Sequence, residues 1–203
     1  MKSLRRGELI VLSGPSGVGK SSIVHRAMEL HPELRFSVSA TTRERRPSET
    51  EGESYYFVSH ARFDEMVTNG ELLEHAEYVG NCYGTPEKPV DEALNFGYDI
   101  LLDIEVQGAM QVKQRREDAT FVFVAAPSFS ELERRLRGRG DTAPEKILQR
   151  LETARREYRI APQYDYLIVS ETNQVDRAAH ELLAIIEAAR CRMRNRVHYL
   201  KED

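Results

Sequence analysis

The hydrophobic pattern of the chain alternates between short continuous apolar runs and longer stretches with helical spacing. The continuous runs cover residues 8–13, 98–104, 119–125 and 165–170, which is typical of parallel strands covered on both faces. The intervening helical patterns cover 21–30, about 86–96, about 106–116, 129–138, 145–158 and 174–195. Strands that alternate with helices along a chain predict an α/β fold whose parallel sheet is flanked by helices.

Two segments depart from this alternation. Residues 34–85 consist of short β-branched and aromatic pieces between Gly, Asn and Pro turns, which predicts a small, largely antiparallel β insertion. Residues 134–159 hold arginine-rich helical patterns joined by a glycine-containing turn, and Ser128-x-x-Glu131 and Thr142-x-x-Glu145 are capping boxes for two helix starts. The predicted division is a core of 1–33, 86–133 and 160–203, a first lobe of 34–85, and a second of 134–159.

The composition of the chain limits the functions it can have and the cellular compartment in which it is expected. The chain has 203 residues, 40% of them hydrophobic, and a formal net charge of −4, which argues against a general nucleic-acid binder. No apolar stretch reaches the roughly 18 to 20 residues of a membrane span, and no signal peptide is predicted. Cys82 and Cys191 lack zinc-like spacing, so we expect ordinary thiols in a reducing cytoplasm. The sequence makes no prediction of oligomeric state.

The segment Gly14-x-x-x-x-Gly19-Lys20-Ser21 lies between a predicted strand and a predicted helix. This is the P-loop pattern in its supporting context. The glycines let backbone N–H groups close around phosphate oxygens, and the following helix points its positive end at the same anion. Lys20 is expected to reach the outer phosphates, and the Ser21 hydroxyl to ligate Mg²⁺. The predicted ATP-binding residues of this loop are Gly14, Pro15, Ser16, Gly17, Val18, Gly19, Lys20, Ser21 and Ser22.

The first insertion concentrates guanidinium groups in residues 41–47. Arginine forks match phosphate oxygens bidentately, and Tyr55 and Tyr83 add hydroxyl donors from nearby strand-like segments. A solvated basic loop is the alternative interpretation of such a run. The six histidines are scattered, and no His or Cys arrangement is predicted to be catalytic.

Taken together, segments 37–43, 55–58, 73–77, 80–85, 102–108 and 135–140 make the chain resemble the guanylate kinase family. These segments occur in the same order as in the family, and the resemblance covers about residues 8 to 195. It implies Mg²⁺-dependent transfer from ATP to GMP, giving ADP and GDP. It also implies a P-loop core, a GMP-binding lobe at 34–85 and a helical, mobile lid at 134–159.

The resemblance assigns roles around GMP. Its phosphate is expected to contact Arg43, Arg46, Tyr55 and Tyr83. Its guanine is expected to be read by Ser39, Glu74 and Thr85, with Gly84 in the same segment. A carboxylate such as Glu74 suits guanine because N1–H and N2–H₂ are paired donors.

Further residues are expected near the metal and the lid. Asp103 ends an apolar strand, from which an acid can reach Mg²⁺ through water, and Glu105 stands where the family usually has Asp. Both residues are also expected to contact GMP. The expected lid arginines are Arg135, Arg139 and Arg150, which join Lys20 and Arg43 in the predicted catalytic set. Arg135 has an alternative reading as an i,i+4 ion pair with Glu131. Ser170 ends the last strand where the family often has Asn near adenine.

Two other functions compete with this interpretation. A P-loop kinase acting on a phosphorylated sugar would keep the loop and the arginines but lose Ser39, Glu74 and Thr85. A non-catalytic interaction module with the same fold can lose the P-loop lysine or the lid arginines. The chain keeps both sets, so the sequence favours the enzyme that phosphorylates GMP.

Overall fold

The structure is a computed structural model that describes residues 6–138 and 143–196. The first half of the chain forms β1 (Leu9–Ser13), α1 (Lys20–Leu30), β2 (Leu34–Phe36), β3 (Ala40–Thr41), β4 (Tyr56–Phe57), α2 (His60–Thr68), β5 (Leu72–Tyr78), β6 (Asn81–Pro86) and α3 (Glu87–Asn95). The second half forms β7 (Asp99–Asp103), α4 (Val106–Arg115), β8 (Thr120–Ala125), α5 (Phe129–Arg137), α6 (Pro144–Ile160), a 3₁₀ turn (Ala161–Gln163), β9 (Tyr166–Val169), α7 (Val175–Arg190) and α8 (Met193–Arg196).

The larger sheet is parallel and has the strand order β2-β7-β1-β8-β9. Its central strand β1 is buried along its whole length. Ile10 and Leu12 point into the core cluster that contains residues of α1 and α7, whereas Leu9 and Val11 point into the cluster that contains residues of α3 and α4. The predicted α/β class, with a parallel sheet covered by helices on both faces, is confirmed.

The smaller sheet has the order β4-β3-β6-β5, and here the structure differs from the sequence-based expectation. Strand β3 pairs antiparallel with β6 but parallel with β4. Residues 60–68 form α2 rather than β structure, because the Ser59 side chain caps the first turn and Phe63 and Met66 are buried one helical turn apart.

The start of the predicted first lobe also lies elsewhere than expected. Leu34–Phe36 pairs parallel with β7 as an edge strand of the larger sheet, with Leu34 opposite Asp99. The reason is topological: α1 returns the chain to the sheet directly after Leu30, so β1, α1 and β2 form a crossover unit. The smaller sheet therefore begins at β3.

Two side chains of α4 tie the smaller sheet to the core. The Gln111 amide accepts from the His75 N–H at 3.1 Å and donates to the His75 carbonyl at 3.0 Å. The Arg115 guanidinium donates to the carbonyls of Leu72 and Gly70, each at 2.8 Å. Strand β5 is thus held against a core helix through its own backbone.

The second predicted insertion packs into the main core. Leu136 of α5 and Ile147 and Leu151 of α6 lie in the same buried cluster as Val18 of the P-loop segment. Ser128 caps α5 by accepting from the Glu131 N–H, as its capping box predicts. Thr142 of the other capping box lies outside the described residues, and α6 has Ala143 at its N-cap position without a side-chain cap.

The predicted C-terminal helix is divided in two. Helix α7 ends at Arg190, where the Cys191 N–H bonds to Ala188 three residues back and tightens the last turn; α8 follows at Met193–Arg196. Cys82 and Cys191 are both free thiols. Across residues 6–138 and 143–196, we find no helix that combines the length and the apolar character needed to cross a bilayer.

Candidate active site

The P-loop segment connects β1 to α1, the strand-to-helix context that the sequence predicts. Gly14 has φ +149°, and a Cβ atom on it would lie 2.2 Å from the Val124 carbonyl oxygen. Gly19 stands at the N-cap of α1 with φ +94°. Both positions require glycine, the first for its close approach to β8 and the second for its left-handed backbone.

Lys20, the first residue of α1, turns back over the loop. Its Nζ donates to the Gly14 carbonyl at 2.6 Å and lies 4.0 Å from Asp103 Oδ1. The parallel register places Asp103 beside Leu12 at the carboxyl end of β7. Burial raises the pKa of Asp103, and the positive charge of Lys20 works in the opposite direction. The lysine and the carboxylate therefore face the same space above the sheet.

A hard metal ion fits the donors at this end of the sheet. Ser21 offers an exposed hydroxyl in the first turn of α1, and Asp103 offers a carboxylate near the loop. Hydroxyl and carboxylate oxygens, completed by phosphate oxygens and water, suit a hard divalent cation. No cluster of three or more His, Cys, Asp or Glu side chains able to hold a metal occurs among the described residues.

Arg135 of α5 lies against the base of the loop rather than on an open helix surface. Its guanidinium donates to the Val18 carbonyl at 3.3 Å and to the Ser170 carbonyl at 2.9 Å. It also pairs with Glu131 at 2.7 Å, so the predicted alternative contact exists beside the contact with the loop. Ion pairs with Arg134 and Arg135 lower the pKa of Glu131 to about 2. Arg135 thus links the P-loop to the end of β9.

Glu74 and Thr85, both predicted to contact guanine, are hydrogen-bonded partners across β5 and β6. The Thr85 hydroxyl donates to Glu74 Oε1 at 2.7 Å, and both residues are buried. Burial raises the pKa of Glu74, against the bonds from Thr85, and the negative charge of Glu105 raises it further. Gly84, the preceding residue on β6, is buried as well.

Arg43, Tyr55 and Tyr83 form a second cluster, which we call the phosphate cluster. The two tyrosine rings lie 6.2 Å apart, edge to face. The Arg43 guanidinium lies 5.5 Å from the centre of the Tyr55 ring and interacts with the Tyr83 hydroxyl. A cation beside two phenolic hydroxyls is a suitable setting for a phosphate dianion.

A cavity of about 350 Å³ joins the lobe to the core sheet. Ser39 and Tyr55, which directly precede β3 and β4, line it on one side, and Asp103 lines it from the end of β7. Residues predicted to contact GMP and the acid predicted to approach the metal therefore border one space.

The remaining predicted residues are more scattered. Arg46 is exposed in the loop before β4, Ser16 and Ser22 are exposed on the P-loop segment, and Glu105 is the N-cap residue of α4. Arg150 is half-buried on α6, and Ser170 is buried directly after β9. Arg139 lies outside the described residues.

Sequence reasoning missed two carboxylates at this site. Glu49 accepts from Arg43 at 2.6 Å and from the Arg46 N–H at 2.8 Å, so it organises the arginine loop; an acid three residues after Arg46 was its available signal. Burial raises the pKa of Glu157 on α6, and the positive charge of Lys20 only partly opposes this rise. Its position beside the P-loop lysine had no signal in the sequence, because it depends on how α6 packs.

Comparison with known proteins assigns the chain to a family. The family model described as guanylate kinase matches residues 6–189. The chain belongs to the guanylate kinase family. A curated guanylate kinase of Lactococcus lactis subsp. lactis is 48% identical over 188 residues, which cover 93% of this chain and 91% of that protein.

Solved structures agree with the family assignment. The crystal structure of guanylate kinase from Anaplasma phagocytophilum superposes with a TM-score of 0.69 at 32% identity, covering 94% of this chain and 90% of that one. A shikimate kinase from Bacteroides thetaiotaomicron shares the fold, with a TM-score of 0.51 at 17% identity over 89% of this chain and 98% of that one. The fold is thus common to both kinases.

Proposed function

We propose that this guanylate kinase family member transfers the γ-phosphoryl group of ATP to GMP, giving ADP and GDP, and accepts dGMP as well. The observation that carries the acceptor's identity is the buried Glu74–Thr85 pair, 2.7 Å between oxygens. An ionised Glu74 offers two acceptors to the N1–H and N2–H₂ donors of guanine. Adenine has a lone pair at N1 and no donor at C2, so it would leave the buried carboxylate unpaired.

On the donor side, the backbone of residues 14–22 is proposed to hold the triphosphate of ATP. Lys20, now bonded to the Gly14 carbonyl, would turn to the transferring phosphate and balance its charge. Mg²⁺ would be held by Ser21 and, through water, by Asp103, and supplies charge neutralisation and alignment of the phosphates. Ser170 is proposed to lie near adenine.

On the acceptor side, the phosphate cluster and Arg46 are proposed to hold the GMP phosphate, while Ser39 and Gly84 complete the guanine pocket. The second pKa of a phosphate monoester is about 6, so GMP is already a nucleophilic dianion near neutral pH and needs no general base. Catalysis by this chain then consists of positioning and of balancing charge. Glu105, whose negative charge raises the pKa of Glu74, is proposed to lie at the edge of the same pocket.

We further propose that the 34–85 insertion, from β3 onward, acts as a GMP lobe and that 134–159 acts as a lid over the core. Arg135, Arg139 and Arg150 would reach the phosphates on closure. Support comes from Arg135, whose guanidinium already contacts the Val18 carbonyl at 3.3 Å. Closure would exclude water from the transferring group. The free thiols of Cys82 and Cys191 are consistent with a cytoplasmic location.

The test is a coupled assay of ADP release with GMP, dGMP, AMP, UMP and ribose bisphosphate as acceptors, in the wild type and in Glu74→Gln. The glutamine keeps the size of the side chain but turns one acceptor into a donor, at a cost of about 2 to 4 kcal/mol. We expect kcat/KM for GMP to fall by about two to three orders of magnitude, the GMP/AMP ratio to fall with it, and the KM for ATP to stay unchanged. Glu77→Gln, which alters an exposed carboxylate of the same strand, is the matched control.

Other outcomes would point elsewhere. Preference for ribose bisphosphate over GMP would identify a sugar-phosphate kinase, and absence of transfer with every acceptor would favour a binding module. An unchanged GMP/AMP ratio in Glu74→Gln would remove Glu74 from guanine recognition.

A further inference from the structure

Gly108 lies in the first turn of α4, directly against the carboxylate of Glu74. A Cβ atom built on Gly108 would lie 2.8 Å from Glu74 Oε2 and 3.4 Å from both Cδ and Cγ of the same side chain. A carbon atom that close to an oxygen forces one of the two to move. The atom in the way is the end of a side chain, so the carboxylate would be displaced rather than the helix.

The other surroundings of Glu74 leave it little freedom to compensate. Its Oε1 is fixed by the Thr85 hydroxyl at 2.7 Å. Gln111, one helical turn beyond Gly108, bonds both backbone groups of His75, the residue after Glu74. Helix and strand are therefore clamped together next to the gap, and the gap cannot widen by a simple separation of α4 from β5.

Helix geometry alone does not call for glycine at this position. Gly108 has no left-handed φ, and alanine has a higher helix propensity than glycine. The N-terminus of α4 also carries a partial positive charge, which favours an ionised carboxylate beside it. The missing side chain is thus explained by the space that the carboxylate occupies.

We propose that Gly108 is a positioning residue for guanine selection. Because Gly108 has no side chain, Glu74 Oε2 can occupy the space beside it, and the carboxylate presents both oxygens to the base. The inference rests on the proposed role of Glu74. Gly108 contacts the carboxylate proposed to bind guanine, but it takes no part in the chemical step.

Gly108→Ala tests it. We expect the KM for GMP to rise about 10- to 100-fold, because a displacement of about 1 Å at a positioned group has effects of this size. The KM for ATP and kcat at saturating GMP should stay within about threefold. The GMP/AMP ratio of kcat/KM should fall in parallel, while the melting temperature should hold or rise because alanine favours the helix.

Two further variants make the result specific. Gln107→Ala changes the neighbouring exposed residue of the same turn and should leave all these quantities unchanged. Glu74→Asp shortens the acid by one methylene and should cost less GMP activity in the Gly108→Ala background than in the wild type, because the shorter side chain relieves the contact.

The outcomes separate the inference from the function on which it rests. If Glu74→Gln loses guanine discrimination but Gly108→Ala keeps it, the inference is wrong and the role of Glu74 stands. If both keep it, the role of Glu74 is wrong as well. A Gly108→Ala protein that unfolds, or that loses ATP affinity along with GMP affinity, would mean that the glycine serves packing, and this also overturns the proposal.

Discussion

The two ends of the proposed reaction site are built in different ways. The donor end, residues 14–22, is made of backbone: glycines bring peptide groups close together, and one lysine arches over them. The acceptor end is made of side chains from β5, from β6 and from the segments before and after β3. A backbone site binds any triphosphate, because its donors are the same whatever base is attached. The choice of the acceptor base therefore has to come from the side-chain end.

The first prediction removes the one side-chain charge of the P-loop segment. Lys20→Ala should lower kcat by about 10³-fold or more, because it deletes the positive charge that faces the transferring phosphate. Its circular dichroism should match the wild type. Lys88→Ala, which removes an exposed lysine 4.0 Å from Glu92 on α3, is the matched control and should be fully active. Activity of Lys20→Ala near that of Lys88→Ala would contradict the proposed donor end.

The second prediction concerns pH at the acceptor end. Burial raises the pKa of Glu74 above its ordinary value, so as pH falls through this raised pKa the carboxyl takes up a proton and loses an acceptor for guanine. GMP use should therefore decline on the acid side. The phosphate of GMP also titrates near pH 6, but this titration affects the wild type and Glu74→Gln equally. The ratio of wild-type to mutant kcat/KM for GMP isolates Glu74, and it should rise with pH and then level off.

The raised pKa of Glu74 makes folding stability depend on pH in the opposite direction to GMP use. The folded protein binds the proton of Glu74 more tightly than the unfolded chain does. The stabilisation from this group is complete below its unfolded pKa and is lost as pH rises through the folded pKa. Glu74→Gln should thus be at least as resistant to urea as the wild type at pH 7.5. A clear loss of stability there would mean that the ionised carboxylate contributes to the fold.

The third prediction loosens the arginine loop without removing an arginine. Glu49→Gln weakens the contacts to Arg43 and to the Arg46 N–H, so we expect the KM for GMP to rise about 3- to 10-fold and the KM for ATP to stay constant. Glu71→Gln disrupts a comparable 2.6 Å pair with Arg62 in the same lobe and serves as control. Equal effects of the two changes would indicate general loosening of the lobe.

The smallest expected effect is at the turn of the β5–β6 hairpin. Val79 has φ +50° and is 79% exposed, a left-handed conformation that costs a β-branched residue energy. Val79→Asn, followed by Gly80, suits such a turn and should stabilise the protein by about 0.5 to 1 kcal/mol, a rise in melting temperature of about 1 to 4 °C. GMP kinetics should not change. A lower melting temperature would contradict the proposed strain.

The difference between the two ends also explains what the sequence could predict. The P-loop is local: its glycines, Lys20 and Ser21 are contiguous and lie between a strand and a helix, so spacing was enough. Strands β1, β7 and β8 were predictable because each is a continuous apolar run that is buried along nearly its whole length. Strand β9 was predictable from its apolar run, although two of its four residues are exposed. Glu74 and Thr85 were found through resemblance to the family, but the contact between Glu74 and Gly108 joins residues far apart in the chain, and only the packing of α4 on β5 brings them together.

Other errors have local causes. Helix α2 was missed because its nine residues bury only Phe63 and Met66, a helical pattern too short to be recognised between two strand-like segments. Residues 34–36 were assigned to the lobe because a strand of three residues gives too short a pattern to show which sheet it joins. Glu157 was missed because its place near Lys20 depends on how α6 packs, which no spacing rule describes.

The bonds from α4 to the backbone of β5 have a consequence for protein engineering. Gln111 and Arg115 donate to the carbonyls of His75, Leu72 and Gly70. These two core side chains therefore contact the backbone of the lobe and not its side chains. A chimaera that takes residues 37–86 from another family member keeps Gln111 and Arg115, so these bonds persist only if the new backbone passes α4 at the same place. The transferable unit for exchanging base specificity is therefore the smaller sheet together with α4, not the inserted segment by itself.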